Sequence, residues 1–285
     1  MVNVGVHVSI AGSVALAVER ARDIGCDTFQ IFSRNPRGWA SKELSEEDAR
    51  QFRVALQSSR ISPVFDHMPY LPNLATPREE MYEKSIAALN AELLRCATLG
   101  IPYLVTHLGH HLGDGLENGR SRVIRAVNGA LENGPKSVML LLENTAGEKN
   151  GVGSTFEDIR AVWEGIQYPS RVGFCFDTCH AFGAGYELRT PEGIEDTLSK
   201  LDETMGFQNI HLIHLNDSKG ALGSGLDRHE HIGLGSIGEE GFVSMFEHEF
   251  FRMRPLICET PVDERRDDRG NIAKVRELER AAGGE

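Results

Sequence analysis

Six side chains able to hold a divalent cation recur at one kind of place, the end of a short β-prone run. They are His67, His107, Glu143, Asp177, His214 and Glu259. His180 follows Asp177 by three residues, and Asp227 and His229 flank Arg228 in an Asp-Arg-His triplet. Neutral imidazole and carboxylate are the donors that zinc and similar first-row ions take. One polar residue at a strand end is ordinary, because the chain meets water there. Six in succession are different. If the strand ends converge, the carboxylates among them repel one another and shift their pKa values unless cations stand between them. Nine donors exceed what one tetrahedral site uses, so two or three ions are implied, with Glu143 or Glu259 free to bridge a pair. Two-metal sites suit in-line phosphoryl displacement, which makes phosphodiester cleavage the first expectation. Sugar isomerisation at one divalent ion is the second. It needs only Glu143, Asp177, His214 and Glu259 and leaves the other five donors without work.

Convergence of these groups requires a particular architecture. The β-prone runs span 2–8, 28–32, 61–66, 103–106, 138–142, 172–176, 210–215 and 255–258. Helical patterns alternate with them at 13–24, 43–56, 78–99, 120–131, 156–166, 193–205, 239–251 and 271–280. In the first helix Val14, Ala17, Val18 and Ala21 form one apolar face. Thr155 followed by Glu157 and Asp158 marks a helix start, and Gly100, Gly134 and Gly206 read as left-handed residues closing helices. The 252 positions from His7 to Glu259 divide into seven steps of 36 residues. Strands alternating with helices imply parallel pairing through right-handed crossovers. Eight such units predict an α/β fold, a single (β/α)8 TIM barrel over residues 1–285, whose chemistry sits where the strands end. No GxGxxG follows the first strand, which weighs against a doubly wound alternative.

Composition sets outer bounds. The chain has 285 residues, 40% hydrophobic and 25% charged, which excludes a disordered or collagen-like chain. The longest apolar run is 138–142, so no membrane helix is expected. A net charge of −12 argues against a generally basic nucleic-acid coat, but bound cations can reverse the sign of a cleft. Five cysteines (Cys26, Cys96, Cys175, Cys179 and Cys258) show no CxxC spacing, which fits buried packing in a reducing cytoplasm. Ala15-Leu16-Ala17 has the look of a signal-peptidase site, yet no basic leader precedes it, and an intracellular protein is expected.

The motifs His67-Met-Pro-Tyr-Leu-Pro-Asn73, Glu143-Asn-Thr-Ala-Gly147, Phe176-Asp-Thr-Cys-His-Ala-Phe182, His214-Leu-Asn-Asp-Ser-Lys219, Asp227-Arg-His229 and Glu259-Thr-Pro261 occur in this order. Together with His7-Val-Ser9 and Asn35-Pro-Arg-Gly-Trp39, they make the chain resemble endonuclease IV, the zinc-dependent apurinic/apyrimidinic endonucleases, over almost its whole length. The resemblance implies a first ion on His67, His107 and Glu143. It implies a second on Glu143, Asp177, His214 and Glu259, and a third on His180, Asp227 and His229. Three Zn2+ per chain are implied, with Mn2+ or Fe2+ able to replace them in part. Two segments depart from the family pattern: Thr106-His-Leu-Gly-His-His111, where relatives usually follow the ligand His with Pro-Gly, and Met68-Pro69 after His67, where many relatives carry small polar residues.

The same resemblance implies a DNA repair enzyme acting on double-stranded DNA at abasic sites, as a monomer. It hydrolyses the phosphodiester 5′ to the lesion and leaves a 3′-hydroxyl and a 5′-deoxyribose phosphate. Glu259, with Glu143, would be catalytic, Glu259 orienting or deprotonating the attacking water. Arg37, Tyr70 and Leu71 fall at the positions that wedge into the duplex, and Arg34, Lys149, Lys219 and Arg228 are phosphate-contact candidates. Weaker signals read blandly. Gly233-Leu-Gly-Ser-Ile-Gly238 is a turn into a helix rather than a nucleotide loop, and Asn216-Asp-Ser218 means nothing without secretion. Residues 263–285 are expected to form an exposed charged helix fraying at Gly283 and Gly284.

Overall fold

Ten strands run in chain order as β1 (Val4–Val6), β2 (Phe29–Ile31), β3 (Val64–His67), β4 (Tyr103–His107), β5 (Met139–Glu143), β6 (Val172–Asp177), β7 (Ile210–His214), β8 (Asp217–Ser218), β9 (His229–Glu230) and β10 (Leu256–Cys258). These come from a computed structural model that describes residues 1–40 and 43–283. All but β8 and β9 belong to one eight-stranded sheet of order β1-β10-β7-β6-β5-β4-β3-β2. Its ladders are all parallel. A parallel bridge between His7 and Gln30 joins the two ends, with Val8 N donating to Gln30 O at 2.7 Å. Glycine permits this seam, since a Cβ on Gly5 would stand 1.6 Å from the Thr28 carbonyl oxygen. The chain is a TIM barrel, as expected from the strand–helix alternation.

The helices are α1 (Leu16–Ile24), α2 (Glu46–Ser58), α3 (Glu79–Leu99), α4 (Leu116–Asn133), α5 (Phe156–Glu164), α6 (Thr178–Ala184), α7 (Pro191–Met205), α8 (Gly238–Glu247), α9 (Glu249–Arg252) and α10 (Asp268–Ala282). Thr155 caps α5, its hydroxyl accepting from Asp158 N at 3.1 Å. Gly100 is left-handed as expected, at φ 74°, and Gly206 has positive φ. Gly134 does not: it is extended at φ −80°, and what excludes a side chain there is the Ala130 carbonyl oxygen, 2.4 Å from a Cβ position. The pattern over 239–251 is two helices, because His248 leaves helical geometry between α8 and α9. The last helix is not simply exposed. Ile272, Val275 and Leu278 bury one face against the barrel while its charges face water. Gly283 closes α10; Gly284 lies outside the described residues.

Side chains alternate across a strand, so residues two apart point the same way. Phe65, Val105, Leu141, Cys175, Leu212 and Ile257 fill the barrel interior as one buried cluster. Two residues further along each of these chains stand His67, His107, Glu143, Asp177, His214 and Glu259. The metal-type residues therefore form the next layer above the apolar plug, at the C-terminal mouth. The intervening residues, such as Leu104, Leu142, Phe176 and Ile213, pack outward in the main core under the helices.

Candidate active site

The mouth opens into a cavity of ≈480 Å³ whose wall includes His7, His67, His107, His180, His229 and Glu259. Donor atoms of His67, His107 and Glu143 lie within 4.8 Å of one another. Those of Glu143, Asp177, His214 and Glu259 do the same, as do those of His180, Asp227 and His229. All nine sequence-selected residues thus converge, in three groups. Glu143 belongs to the first two groups, one oxygen facing His67 Nε2 (3.0 Å) and His107 Nε2 (3.6 Å), the other His214 Nδ1 (3.1 Å) and His180 Nδ1 (3.2 Å). Of the two candidate bridging carboxylates, only Glu143 spans two groups.

Local chain geometry explains the third group. Asp177 ends β6 and also caps α6, its carboxylate accepting from His180 N at 2.7 Å. One residue thereby closes a strand, starts a helix and fixes where His180 points. His229 enters from the other side on the antiparallel β8–β9 ribbon, where it pairs with Ser218.

Four of the five histidines spend one ring nitrogen on an anchor. His67 Nδ1 donates to Met68 O (2.7 Å), His180 Nδ1 to Asn144 O (2.9 Å) and His229 Nδ1 to Glu259 O (3.0 Å). His214 uses the opposite nitrogen, Nε2, to reach Gln30 Oε1 at 2.9 Å. In a neutral imidazole the second nitrogen then carries a lone pair turned into the mouth. Two of these, His180 Nε2 and His229 Nε2, are buried without a hydrogen-bond partner, although Asp227 Oδ1 lies 3.2 and 3.5 Å away. Orphaned imidazole nitrogens beside carboxylates are the donor set that a cation such as zinc completes, so the residues present fit such ions.

The electrostatics agree. Burial alone favours neutral Glu143, yet the surrounding His107, His214 and His180 hold its carboxyl well below the usual range. Burial likewise favours neutral Glu259 and Asp227, but His214 and His7 lower the first, and His180 brings the second to about 2. Conversely, burial opposes protonation of His67, His180 and His214. The carboxylates facing them, chiefly Glu143 for His67 and Asp177 for His180, outweigh it and raise all three. At His214 the neighbouring Cys175 sulfur comes first among the groups that raise it, followed by Glu259 and Glu143. The acid cluster thus demands positive charge, and protons supply it where cations do not.

Other residues sort themselves by place. Cys175 and Cys179 lie close enough to count among the donors, but burial pushes both thiols up to about 12, and Cys175 sits in the apolar plug. His110 and His111 fall outside every group; His111 Nδ1 accepts from Gly115 N within its own loop. Asn216 is fully buried. It donates to Asp177 Oδ2 at 2.7 Å and accepts from Glu259 N at 2.7 Å. Asn144 pairs with the Asp177 backbone. These two asparagines and Gln30 carry no signal in sequence periodicity. Only their position beside the metal-type residues in Glu143-Asn and His214-Leu-Asn hinted at the asparagines.

Around the mouth, Arg37 is exposed, and Tyr70 and Leu71 stand 67% and 38% exposed on the neighbouring loop. Tyr70 N donates to Pro36 O at 3.3 Å and its ring meets Phe32 edge-on at 5.0 Å, so the loops after β2 and β3 are tied together. Arg228, Lys149 and Lys219 are exposed, with Arg228 on the cavity wall. Arg34 is not available to a phosphate. It is buried against Glu92 as an ion pair and donates to Trp39 O at 3.1 Å, bracing its own loop. The glycine-rich turn before α8 holds no external anion either. The Asp217 carboxylate already accepts from Gly235 N and Ile237 N at 2.9 Å and from Gly238 N at 3.3 Å. No helix among the described residues is long and apolar enough to cross a membrane.

The model of the xylose isomerase-like TIM barrel family matches residues 18–280. A protein of Methanoculleus marisnigri named probable endonuclease 4 is 63% identical over 279 residues, covering 98% of this chain and 99% of that protein. The crystal structure of endonuclease IV from Thermus thermophilus superposes with a TM-score of 0.84 at 34% identity, covering 99% of each chain. A D-tagatose 3-epimerase-like protein reaches a TM-score of 0.76 at 18% identity, covering 99% of this chain and 98% of that one, which is likeness of fold alone. With identity of that level over almost the whole length, the chain belongs to the endonuclease IV family.

Proposed function

We propose that this protein is a DNA repair endonuclease that hydrolyses the phosphodiester 5′ to an abasic site in double-stranded DNA, leaving a 3′-hydroxyl and a 5′-deoxyribose phosphate. The observation that carries the reading is the division of nine donors into three groups at one mouth, Glu143 joining two of them. A one-ion sugar isomerase has no use for His67, His107, His180, Asp227 and His229. Three ions per chain are proposed, Zn2+ by donor type, with Mn2+ or Fe2+ substituting in part. His67, His107 and Glu143 would hold the first, Glu143, Asp177, His214 and Glu259 the second, and His180, Asp227 and His229 the third. Ions so held would lower the pKa of water and neutralise charge developing at the phosphoryl group.

The protein's own groups do the rest. Glu259 lines the cavity with its carboxyl held ionised, so it can orient the attacking water and accept its proton. Glu143 fixes the spacing of the two groups it joins. Exposed Tyr70 and Leu71, with Arg37 beside them, would insert at the lesion, and Arg228 would meet the backbone phosphate on the cavity wall. An abasic nucleotide has no base to unstack, so turning it into the cavity costs less than flipping an intact one. Residues 1–285 are proposed to act as one barrel, as a monomer, inside the cell where the substrate is.

The test is incision of a duplex carrying a single abasic analogue, by protein loaded with zinc and by the same protein after chelation. Incision 5′ to the lesion that chelation removes and zinc restores is expected. A reconstituted protein that binds one ion per chain and leaves the duplex intact would overturn this reading in favour of the sugar isomerase.

A further inference from the structure

Gln30 is a buried polar residue at the base of the site, and the chemistry above gives it no role of its own. Its neighbours on β2, Phe29 and Ile31, pack outward in the core, so Gln30 points inward, and it is 0% exposed. A buried amide is costly unless its donors and acceptor are matched. Here they are: Nε2 donates to Glu259 Oε1 at 2.7 Å and lies 3.1 Å from His7 Nδ1, while Oε1 accepts from His214 Nε2 at 2.9 Å. Exchanging the amide oxygen and nitrogen would set an acceptor against the Glu259 carboxylate, so one orientation satisfies all three partners.

That orientation has a consequence for two of the donors. By claiming Nε2 of His214, Gln30 fixes the proton there and leaves Nδ1 facing Glu143 Oε1 (3.1 Å) and Glu259 Oε2 (3.4 Å). By claiming Oε1 of Glu259, it leaves Oε2 as the oxygen turned to that group. The other anchored histidines lean on backbone carbonyls, which no substitution removes. His214 alone among them depends on a side chain, and that side chain also holds Glu259.

We propose that Gln30 is a positioning residue that fixes the metal-facing nitrogen of His214 and the metal-facing oxygen of Glu259. The proposal rests on the three-ion reading above. Its test uses the zinc-loaded full chain with Gln30→Met, which keeps the volume and removes every hydrogen bond. A second variant, Gln30→Glu, keeps an acceptor for His214 but opposes Glu259 with a carboxylate. Zinc is withdrawn by a chromophoric chelator, and melting of the metal-stripped proteins is measured alongside. Both variants are expected to hold one of the ions 10- to 100-fold more weakly, the range seen when a ligand's hydrogen-bond partner is lost. The stripped variants are expected to melt only a few degrees below the stripped parent, since hydrogen bonds at buried groups are lost with or without metal. Zinc affinities within twofold of the parent overturn the proposal. So does weakening of all ions together with a far lower melting point of the stripped variants, or failure of both variants to fold, because each makes Gln30 merely structural. A parent that takes up no zinc instead overturns the functional reading beneath it.

Discussion

Arg34 offers two opposed expectations that one substitution separates. As a phosphate contact, its loss would weaken DNA binding uniformly, lower the salt slope by about one and leave stability alone. As found, its guanidinium is buried against Glu92, with side-chain exposures of 5% and 0%. Glu92 also accepts from Ser33 Oγ at 2.6 Å, and Ser33 N donates to Asp66 Oδ1 at 2.9 Å, beside His67. Arg34→Met leaves the buried Glu92 carboxylate without its ion-pair partner, with Ser33 Oγ still donating to it, which costs about 3–5 kcal/mol. An unfolding entropy of about 2.1 cal/mol/K per residue gives about 0.6 kcal/mol/K for 285 residues, so the melting temperature should fall by about 5–8 °C. Replacing both members of a buried ion pair by apolar residues of similar volume is often neutral or stabilising, because neither charge is then left alone. Arg34→Met combined with Glu92→Leu should therefore recover most of the loss. Calorimetry of the single and double variants, with DNA affinity measured across salt concentrations, decides the matter. A single variant that melts within about 1 °C of the parent and shows a reduced salt slope refutes the buried-brace account.

Glu259→Gln keeps the shape of the side chain but not its charge; it is expected to abolish incision while binding to an abasic duplex remains measurable, and unchanged turnover would remove Glu259 from the mechanism. Metal-stripped protein is expected to be most stable between about pH 5 and 6.5, from the reference values of carboxylates and imidazole. The raised pKa values of His67, His180 and His214 stabilise fully below about pH 6.5, and that contribution is lost as pH rises through their folded values. The lowered values of Glu143, Glu259 and Asp227 act in the opposite sense, their contribution disappearing as pH falls below about 4.5. His7 and His107, lowered chiefly by burial, oppose the first trend but are outnumbered. Denaturant titrations of stripped and zinc-loaded protein from pH 5 to 9 check this. Stripped protein should weaken toward pH 9 and zinc-loaded protein should not, since cations and protons compete for the same nitrogens; a flat stripped curve contradicts it.

Every barrel strand was legible in the sequence because each is a short β-prone run, and all but β2, which runs on into Phe32, end at or just before a histidine or a carboxylate. The parity of those runs carried the site, since the ligand-type residue always stands two places beyond an inward apolar one. What the sequence hid were pairings between distant positions. Gln30 reads as one polar residue inside a β-prone run, and its partners lie 184 and 229 positions away. Arg34 reads as a free cation because Glu92, its partner, sits inside a long amphipathic helix. The short helix α6 was invisible to periodicity, for its seven residues are buried almost all round. The Asp177-to-His180 spacing that signals it is a cap, which acquires meaning only once Asp177 is known to end a strand.

The glycine-rich turn that sequence reading set aside has a place in the chemistry after all. The first two donor groups need only the barrel: His67, His107, Glu143, Asp177, His214 and Glu259 stand at or just past strand ends, and the ladders fix their spacing. The third group needs His229, which lies on the excursion between β7 and α8. There the register Asp217↔Glu230 and Ser218↔His229 decides which way His229 faces. A slip of one residue would turn its imidazole to the opposite side of the ribbon. Two paired residues on each strand are too few to hold a register alone. Asp217 supplies the missing restraint, its carboxylate clamped by the amides of Gly235, Ile237 and Gly238. The lack of a side chain matters at Gly235, where a Cβ would stand 2.5 Å from the Asp217 carboxylate. The turn therefore resembles an anion-binding loop because it is one, and the anion it binds is the residue that sets the ribbon carrying His229.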